Sequence, residues 1–261
     1  YSLLQKLPGM EGEPASVEVK SAPAQGDYRI VATPTKLDEL VSRLSSVPSF
    51  AFDTETDSLS PISAQLVGIS LSFETGRAYY IPVGHVFLDE VKQLPLQQVI
   101  DRLKPFLEDE KIAKLAHNAK FDMMVMAECG VAVNGLSFDT MIAAHLLGEK
   151  NLGLKALAFN RLGIEMMPIS SLIGTGAKQI SMAQVGIKKA ADYSGADADM
   201  TFRLAGVFDK ELGKQELKKL FTDVEMPLVP VLLLMERNGV VVDVAILKEM
   251  SHNLGKQIAE L

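Results

Sequence analysis

Three apolar, β-rich runs come close together: SFAFDTE (49–55), QLVGISLSFE (65–74) and RAYYIPVG (77–84). The second and third are separated only by Thr75 and Gly76, a link so short that the flanking runs must pair antiparallel. Downstream the pattern changes period. LQQVIDRLKPFLED (96–109) places Val99, Leu103, Phe106 and Leu107 at helical spacing, and KIAKLAHN (111–118) then has strand character. A helix over 119–129, a short strand GLSFDT (135–140) and glycine-closed helices over 141–148 and 152–163 continue the alternation. An antiparallel meander followed by alternating helices and strands predicts an α/β fold, a mixed β-sheet with helices against its faces.

The flanking segments are less regular. Residues 8–27, rich in Pro, Gly, Ala and Glu, read as linker, so the domain is expected to start near Tyr28 with a strand YRIVAT (28–33). Thr35 and Asp38 mark the start of a helix through LDELVSRLSS, and Ser181 with Gln184 marks the start of a long helix running to about Phe208. Beyond it, FTDVEMPLVPVLLLMERNGVVVD reads as a proline-interrupted apolar helix and a short valine strand ending at Asp243. A last helix runs to the final residue, so the chain is expected to be part of a longer protein.

Composition narrows the function classes. No run approaches the roughly 20 apolar residues that span a bilayer, and the N-terminus lacks the pattern of a secretory signal, so a soluble cytoplasmic protein is expected. The single cysteine, Cys129, excludes an internal disulfide framework and is expected to be inert. A net charge of -7 argues against a DNA-coating surface that works by charge alone. It leaves open a cation-filled acidic site that binds a phosphodiester.

Carboxylates recur at the ends of the predicted elements. Asp53 and Glu55 are two apart on a strand and so share one face; Asp122 lies in HNAKFD, early in a helix; Tyr193 and Asp197 in YSGAD are four apart on one helical face. Each has a plainer explanation: a strand turning into solvent, a helix-terminus charge, a surface hydrogen bond. Together they supply four acids from three separated segments. That is what a two-metal phosphodiesterase needs, with hard oxygen ligands for Mg²⁺ or Mn²⁺ about 3.5–4 Å apart.

The ordered set DTET, HNAKFD and YSGAD resembles the DnaQ-like (DEDD) 3′–5′ exonucleases, and its tyrosine resembles the DEDDy branch. Within that branch, FAFDTETDSL and VEMPLVPVLLLMERNGVVVD are similar to the proofreading exonuclease domain of bacterial family A DNA polymerases and the opening of the polymerase domain that follows. The resemblance implies a ribonuclease H-like fold and three parts. These are a linker over 1–27 from a preceding 5′-nuclease region, the exonuclease domain over 28–213, and the start of a helical polymerase thumb segment over 214–261. It implies two divalent cations, Mg²⁺ or Mn²⁺. Asp53, Glu55 and Asp197 would hold the one that binds the attacking water, and Asp53 would bridge to a second near Asp122.

Tyr193, helped by Glu55, would orient the water, since a phenol with an ordinary pKa near ~10 is a poor base. Leu59 would wedge against the terminal base, or be a buried loop leucine, and Asn118 and Lys120 would contact the substrate backbone. Phe121 stands where the family commonly has tyrosine and so offers no hydroxyl to a phosphate. His117 stands in place of a glutamine, with a structural hydrogen bond as the expectation. The stretch MMPISSLIGTGAKQ (166–179) lacks a stacking aromatic, which leaves Leu, Ile and Met to grip the last base. The implied partners are a single-stranded or frayed DNA 3′ end and the polymerase domain of the same chain, in a monomer. A non-catalytic scaffold of the same fold and an RNA-trimming exonuclease are the competing readings.

Overall fold

Strand pleating in the first apolar runs decides how the molecule is layered. In the computed structural model, which describes residues 22–23, 26–86 and 91–260, the strands are β1 (Ala22–Pro23), β2 (Asp27–Ile30), β3 (Ser49–Thr56), β4 (Leu66–Glu74), β5 (Arg77–Pro82), β6 (Ala113–Ala116), β7 (Leu136–Asp139) and β8 (Ile164–Glu165). Six form one sheet in the order β2-β5-β4-β3-β6-β7, and β1 pairs with β8 separately. β4 is antiparallel to β3 and β5, whereas β2–β5, β3–β6 and β6–β7 are parallel. The expected meander is present, and the sheet is mixed.

The helices are α1 (Pro34–Leu44), α2 (Leu96–Glu108), α3 (Ala119–Glu128), α4 (Thr140–Leu146), α5 (Leu154–Leu162), α6 (Ser170–Ile173), α7 (Ile187–Lys214), α8 (Lys218–Leu220), α9 (Met226–Asn238) and α10 (Val244–Glu260). Alternate residues of the central strands go to opposite layers. Phe50 and Phe52 of β3, with Ile69, Leu71, Tyr79 and Ile81, pack with α1, α2 and α3 through Leu40, Val99, Leu103 and Met126. Phe50 and Phe52 are almost fully buried, and truncating either to alanine would cost about 3–5 kcal/mol. The intervening residues of β3, Asp53 and Glu55, face the other layer, which α7 occupies across β2, β3, β4 and β5.

α7 lies very close to the sheet at Gly195. A Cβ there would stand 3.0 Å from both Cβ and Cγ of Tyr28 in β2, so the helix approaches where it carries no side chain. One turn further on, Asp199 is buried and fully used: its oxygens accept from Tyr28 Oη (3.1 Å), the Gly76 N–H (2.8 Å) and the Arg203 guanidinium (2.9 and 2.7 Å). The tight turn between β4 and β5 is thereby tied to the helix.

Several sequence expectations shift. Thr33, not Thr35, caps α1, with Pro34 preorganised in the first turn. Ser181 and Gln184 do form a capping box, but it closes one turn of 3₁₀ helix at Met182–Gln184; extended backbone at Val185 and Gly186 then delays α7 to Ile187. A π-helical turn at Phe221–Glu225 precedes α9, which continues through Pro227 and Pro230. No strand is assigned over 239–243 among the described residues; Val240 and Val241 are exposed there, without a neighbouring strand to pair. Most of the expected linker, residues 1–21, 24 and 25, lies outside the described residues.

Candidate active site

The site forms where β3 runs out between its two layers. Asp53 and Glu55 point toward α7, which presents Asp197 and, one helical turn earlier, Tyr193. Ligand oxygens of Asp53, Glu55 and Asp197 lie within 4.8 Å of one another. Ser194 braces this side: its hydroxyl donates to Asp53 Oδ2 (3.3 Å) and meets Ser70 Oγ of β4 (2.9 Å), while Ser70 donates to the Ser194 carbonyl (2.9 Å). Asp122 comes from the opposite layer. Thr54, between the two acids, faces that layer, and its N–H (2.9 Å) and hydroxyl (2.6 Å) both donate to Asp122 Oδ1. Asp122 is not in the tight group of three, yet its charge reaches Asp53.

How Asp122 is aimed follows from Asn118 and Asp139. Asn118, just before α3, adopts a left-handed conformation (φ 63°), which asparagine tolerates better than most side chains. The Asp139 carboxylate accepts from the Asn118 (3.2 Å) and Ala119 (2.8 Å) N–H groups and also caps α4 through Met141 (2.8 Å) and Ile142 (3.3 Å). One acid thus sets the start of two helices.

Gathering acids without a cation makes ionisation costly. Burial pushes the Asp53 carboxyl well above the usual range, with the charges of Asp122, Glu55 and Asp197 adding to it. Glu55 is pushed up to about 8 by burial and then by Asp197, and Asp122 to about 7 by burial against the opposing Thr54 hydrogen bonds. Burial also raises Asp197, opposed by Lys155 and Tyr193. Burial and the neighbouring carboxylates raise the Tyr193 phenol too, so it stays neutral at physiological pH and acts by hydrogen bonding. The donor set suits a hard divalent cation: convergent carboxylate oxygens whose mutual repulsion a cation would relieve.

A groove of about 510 Å³ opens beside the acids, lined by Leu59, Phe121, Ile173, Ile180, Met182 and Tyr193 among others. Leu59 is 93 % exposed, which removes the buried-loop explanation for it. The apolar lining from 169–182 is aliphatic, as the sequence suggested. Lys120 forms an ion pair with Glu236 of α9. His117 bonds Thr140 Oγ1 through Nδ1 (2.8 Å), and burial lowers its pKa to about 4, in keeping with a structural role. Asp57 accepts from the Gln65 N–H (2.8 Å), closing the loop after β3.

Sequence reasoning missed Lys155, whose Nζ reaches Tyr193 Oη (2.9 Å) and Asp197 (3.3 Å), and it missed the bracing by Thr54 and Ser194. Thr54 carried a local signal, being the residue of opposite pleat between two acids.

The fold is a ribonuclease H-like mixed sheet, and the carboxylate cluster at the end of its central strand is a donor set suited to divalent cations. The family follows from comparison: a family model described as 3′-5′ exonuclease matches residues 28–213. The chain belongs to this 3′–5′ exonuclease family, in the form found in bacterial DNA polymerase I. It is 44 % identical over 254 residues to DNA polymerase I of Chloroflexus aurantiacus, covering 96 % of this chain and 26 % of that protein. With DNA polymerase I of Pseudomonas aeruginosa it shares 36 % identity over 243 residues, covering 91 % of this chain and 27 % of that one. The chain therefore spans about a quarter of these relatives.

Among solved structures, the POL domain of Pol1 from M. smegmatis in complex with DNA primer-template and dNTP superposes with TM-score 0.67 at 22 % identity, covering 89 % of this chain and 36 % of that one. Brucella melitensis NrnC with bound Mg²⁺ gives TM-score 0.59 at 19 % identity, covering 84 % and 98 %. At these identities the likeness is one of fold. Among the described residues no helix is long and apolar enough to cross a membrane.

Proposed function

We propose that the chain removes nucleotides from a single-stranded or frayed DNA 3′ end by two-metal hydrolysis, as the proofreading part of a cytoplasmic, monomeric DNA polymerase I. The observation that carries this reading is the convergence of Asp53, Glu55 and Asp197 beside Tyr193 at the mouth of an apolar groove. Asp53, Glu55 and Asp197 would hold one Mg²⁺ or Mn²⁺, and Asp122 with Asp53 would serve a second. When bound, such cations lower the pKa of water and stabilise the leaving 3′ oxygen.

The protein's own groups do the rest. Tyr193, kept neutral, accepts a hydrogen bond from the attacking water, and Glu55 fixes the other side of that water. Thr54 holds Asp122 on the far side of the strand, so the two halves of the site stay in register across one peptide unit. Leu59 and Phe121 take the terminal base by apolar contact, while Asn118 and Lys120 face the substrate backbone, Lys120 exchanging Glu236 for phosphate. In this reading 28–213 is the exonuclease domain, 214–261 the opening of the polymerase domain, and the expected linker over 1–27 gives way to paired strand at Ala22–Pro23 and Asp27.

The test is release of mononucleotides from a 3′-labelled DNA oligonucleotide with Mg²⁺ or Mn²⁺, against Asp53→Ala. Equal release by both proteins would sink the proposal. Calorimetric titration with Mn²⁺ separates an enzyme from a scaffold, because a scaffold shows no site that depends on Asp53. Matched DNA and RNA oligonucleotides distinguish proofreading from RNA trimming.

A further inference from the structure

Lys155 lies in the first turn of α5, the end of a helix where the dipole disfavours a cation, and Gly153 supplies no side-chain cap there. Its ammonium is nonetheless turned into the acidic site. Nζ donates to Tyr193 Oη at 2.9 Å and to the two Asp197 oxygens at 3.3 and 3.4 Å, and it lies 4.3 Å from the centre of the Tyr193 ring. The side chain remains 31 % exposed, so fixing it here gives up rotamer freedom that a solvated pose would keep. Contact with both acceptors offsets that loss.

Donor chemistry then settles the hydrogen positions. An ammonium only donates, so Tyr193 Oη is the acceptor in this contact. The phenol hydrogen is then left for Asp197, one turn further along the same face of α7. One lone pair of Oη is left, and it can only accept.

We propose that Lys155 is a positioning residue for the hydrolysis: by donating to Tyr193 Oη and Asp197 together it locks phenol and carboxylate in one register, so that the remaining Oη lone pair accepts from the attacking water. The inference rests on the nuclease reading of the site. Lys155 acts through Tyr193 and does not grip the DNA backbone, and the experiment separates these roles.

In the full 261-residue chain, K155M lowers kcat roughly 30-fold, within the range for loss of a group that orients a metal-site residue, with KM for the oligonucleotide unchanged. K155Q, which retains an N–H donor, gives a smaller loss. The double variant K155M/Y193F is no slower than Y193F alone by more than about twofold, because both changes remove the same device.

A second readout needs neither metal nor turnover. In metal-free protein carrying 3-fluorotyrosine, the ¹⁹F resonance of Tyr193, assigned by its loss in Y193F, shifts or broadens in K155M. Multiplying losses in the double variant, a loss that falls on KM, or an unmoved resonance each overturns the inference while leaving an active wild type as a nuclease. An inactive wild type sinks the nuclease reading, and the hydrolytic role of Lys155 with it.

Discussion

Asp197 and Asp199 stand two residues apart on α7, both buried, and their surroundings are opposite in kind. Asp199 has a guanidinium, a backbone N–H and a phenol donating to its two oxygens. Asp197 faces two other carboxylates, with the Lys155 ammonium as its donor. Asp199 is satisfied within the fold, whereas Asp197 is left with charge to spare. A buried acid whose needs are met holds structure together, and one whose needs are unmet is held in place by structure for something else to complete.

The sharpest way to break this comparison is to exchange the two roles by mutation. Asp197→Ala is expected to lower exonuclease turnover on the order of a thousandfold, comparable to loss of a preorganised electrostatic contact. Thermal stability without metal should hold or rise, because a source of like-charge repulsion is gone. Single-turnover kinetics and a melting curve on the same preparation check both halves. Asp199→Ala should do the reverse. It strands Arg203 and costs about 3 kcal/mol in denaturant unfolding, while any folded fraction keeps its turnover. If Asp199→Ala loses turnover and keeps stability, the division between the two acids is wrong.

A pH titration sharpens the same point. Folded, metal-free protein keeps protons on Glu55 and Asp122 up to about pH 8 and about pH 7, whereas in the unfolded chain both titrate near ~4. Between those limits the folded state binds more protons. The stabilisation from these two groups is therefore present at acid pH and lost as pH rises toward about 8. Mn²⁺ at a hundred times its dissociation constant should restore about 2.7 kcal/mol at pH 8. Melting temperatures across pH 5–8.5 with Mn²⁺ or chelator check the sign, and stability that climbs with pH in chelator would refute it. The smallest effect is expected at Leu59. Leu59→Ala leaves stability within about 0.5 kcal/mol, since the side chain is exposed, and raises KM about fivefold, the low end for losing contact with a base.

The sequence was most legible where one local rule was enough. The Thr75–Gly76 link, the two-residue spacing of Asp53 and Glu55, and the helical spacing of Tyr193 and Asp197 each carry their geometry within a few residues. They were sufficient for the meander and for the acids that share a face. What stayed hidden depends on contacts between distant positions. Lys155 meets Asp197 across 42 residues, and Thr54 meets Asp122 across 68. The Ser181 box was real but was read one element too far, because Gly186 restarts the helix. The valines at 240–242 have strand composition, but β-propensity without a neighbouring strand to bond is not enough to make a strand.

Gly195 ends up acting as a mechanical shim. By letting α7 rest on Tyr28 it helps set how far Asp197 stands from Asp53 and Glu55, and in the proposed two-cation site that spacing would be the bore of the cage. Mg²⁺ demands oxygens at about 2.0–2.1 Å, while Ca²⁺ accepts about 2.3–2.6 Å, so a few tenths of an ångström separate one ion from the other. Gly195→Ala must lift the helix by such an amount and is expected to widen the cage toward larger ions. The ratio of calorimetric affinities for Mg²⁺ and Ca²⁺ would measure that change, and an unaltered ratio would show that the bore is set elsewhere.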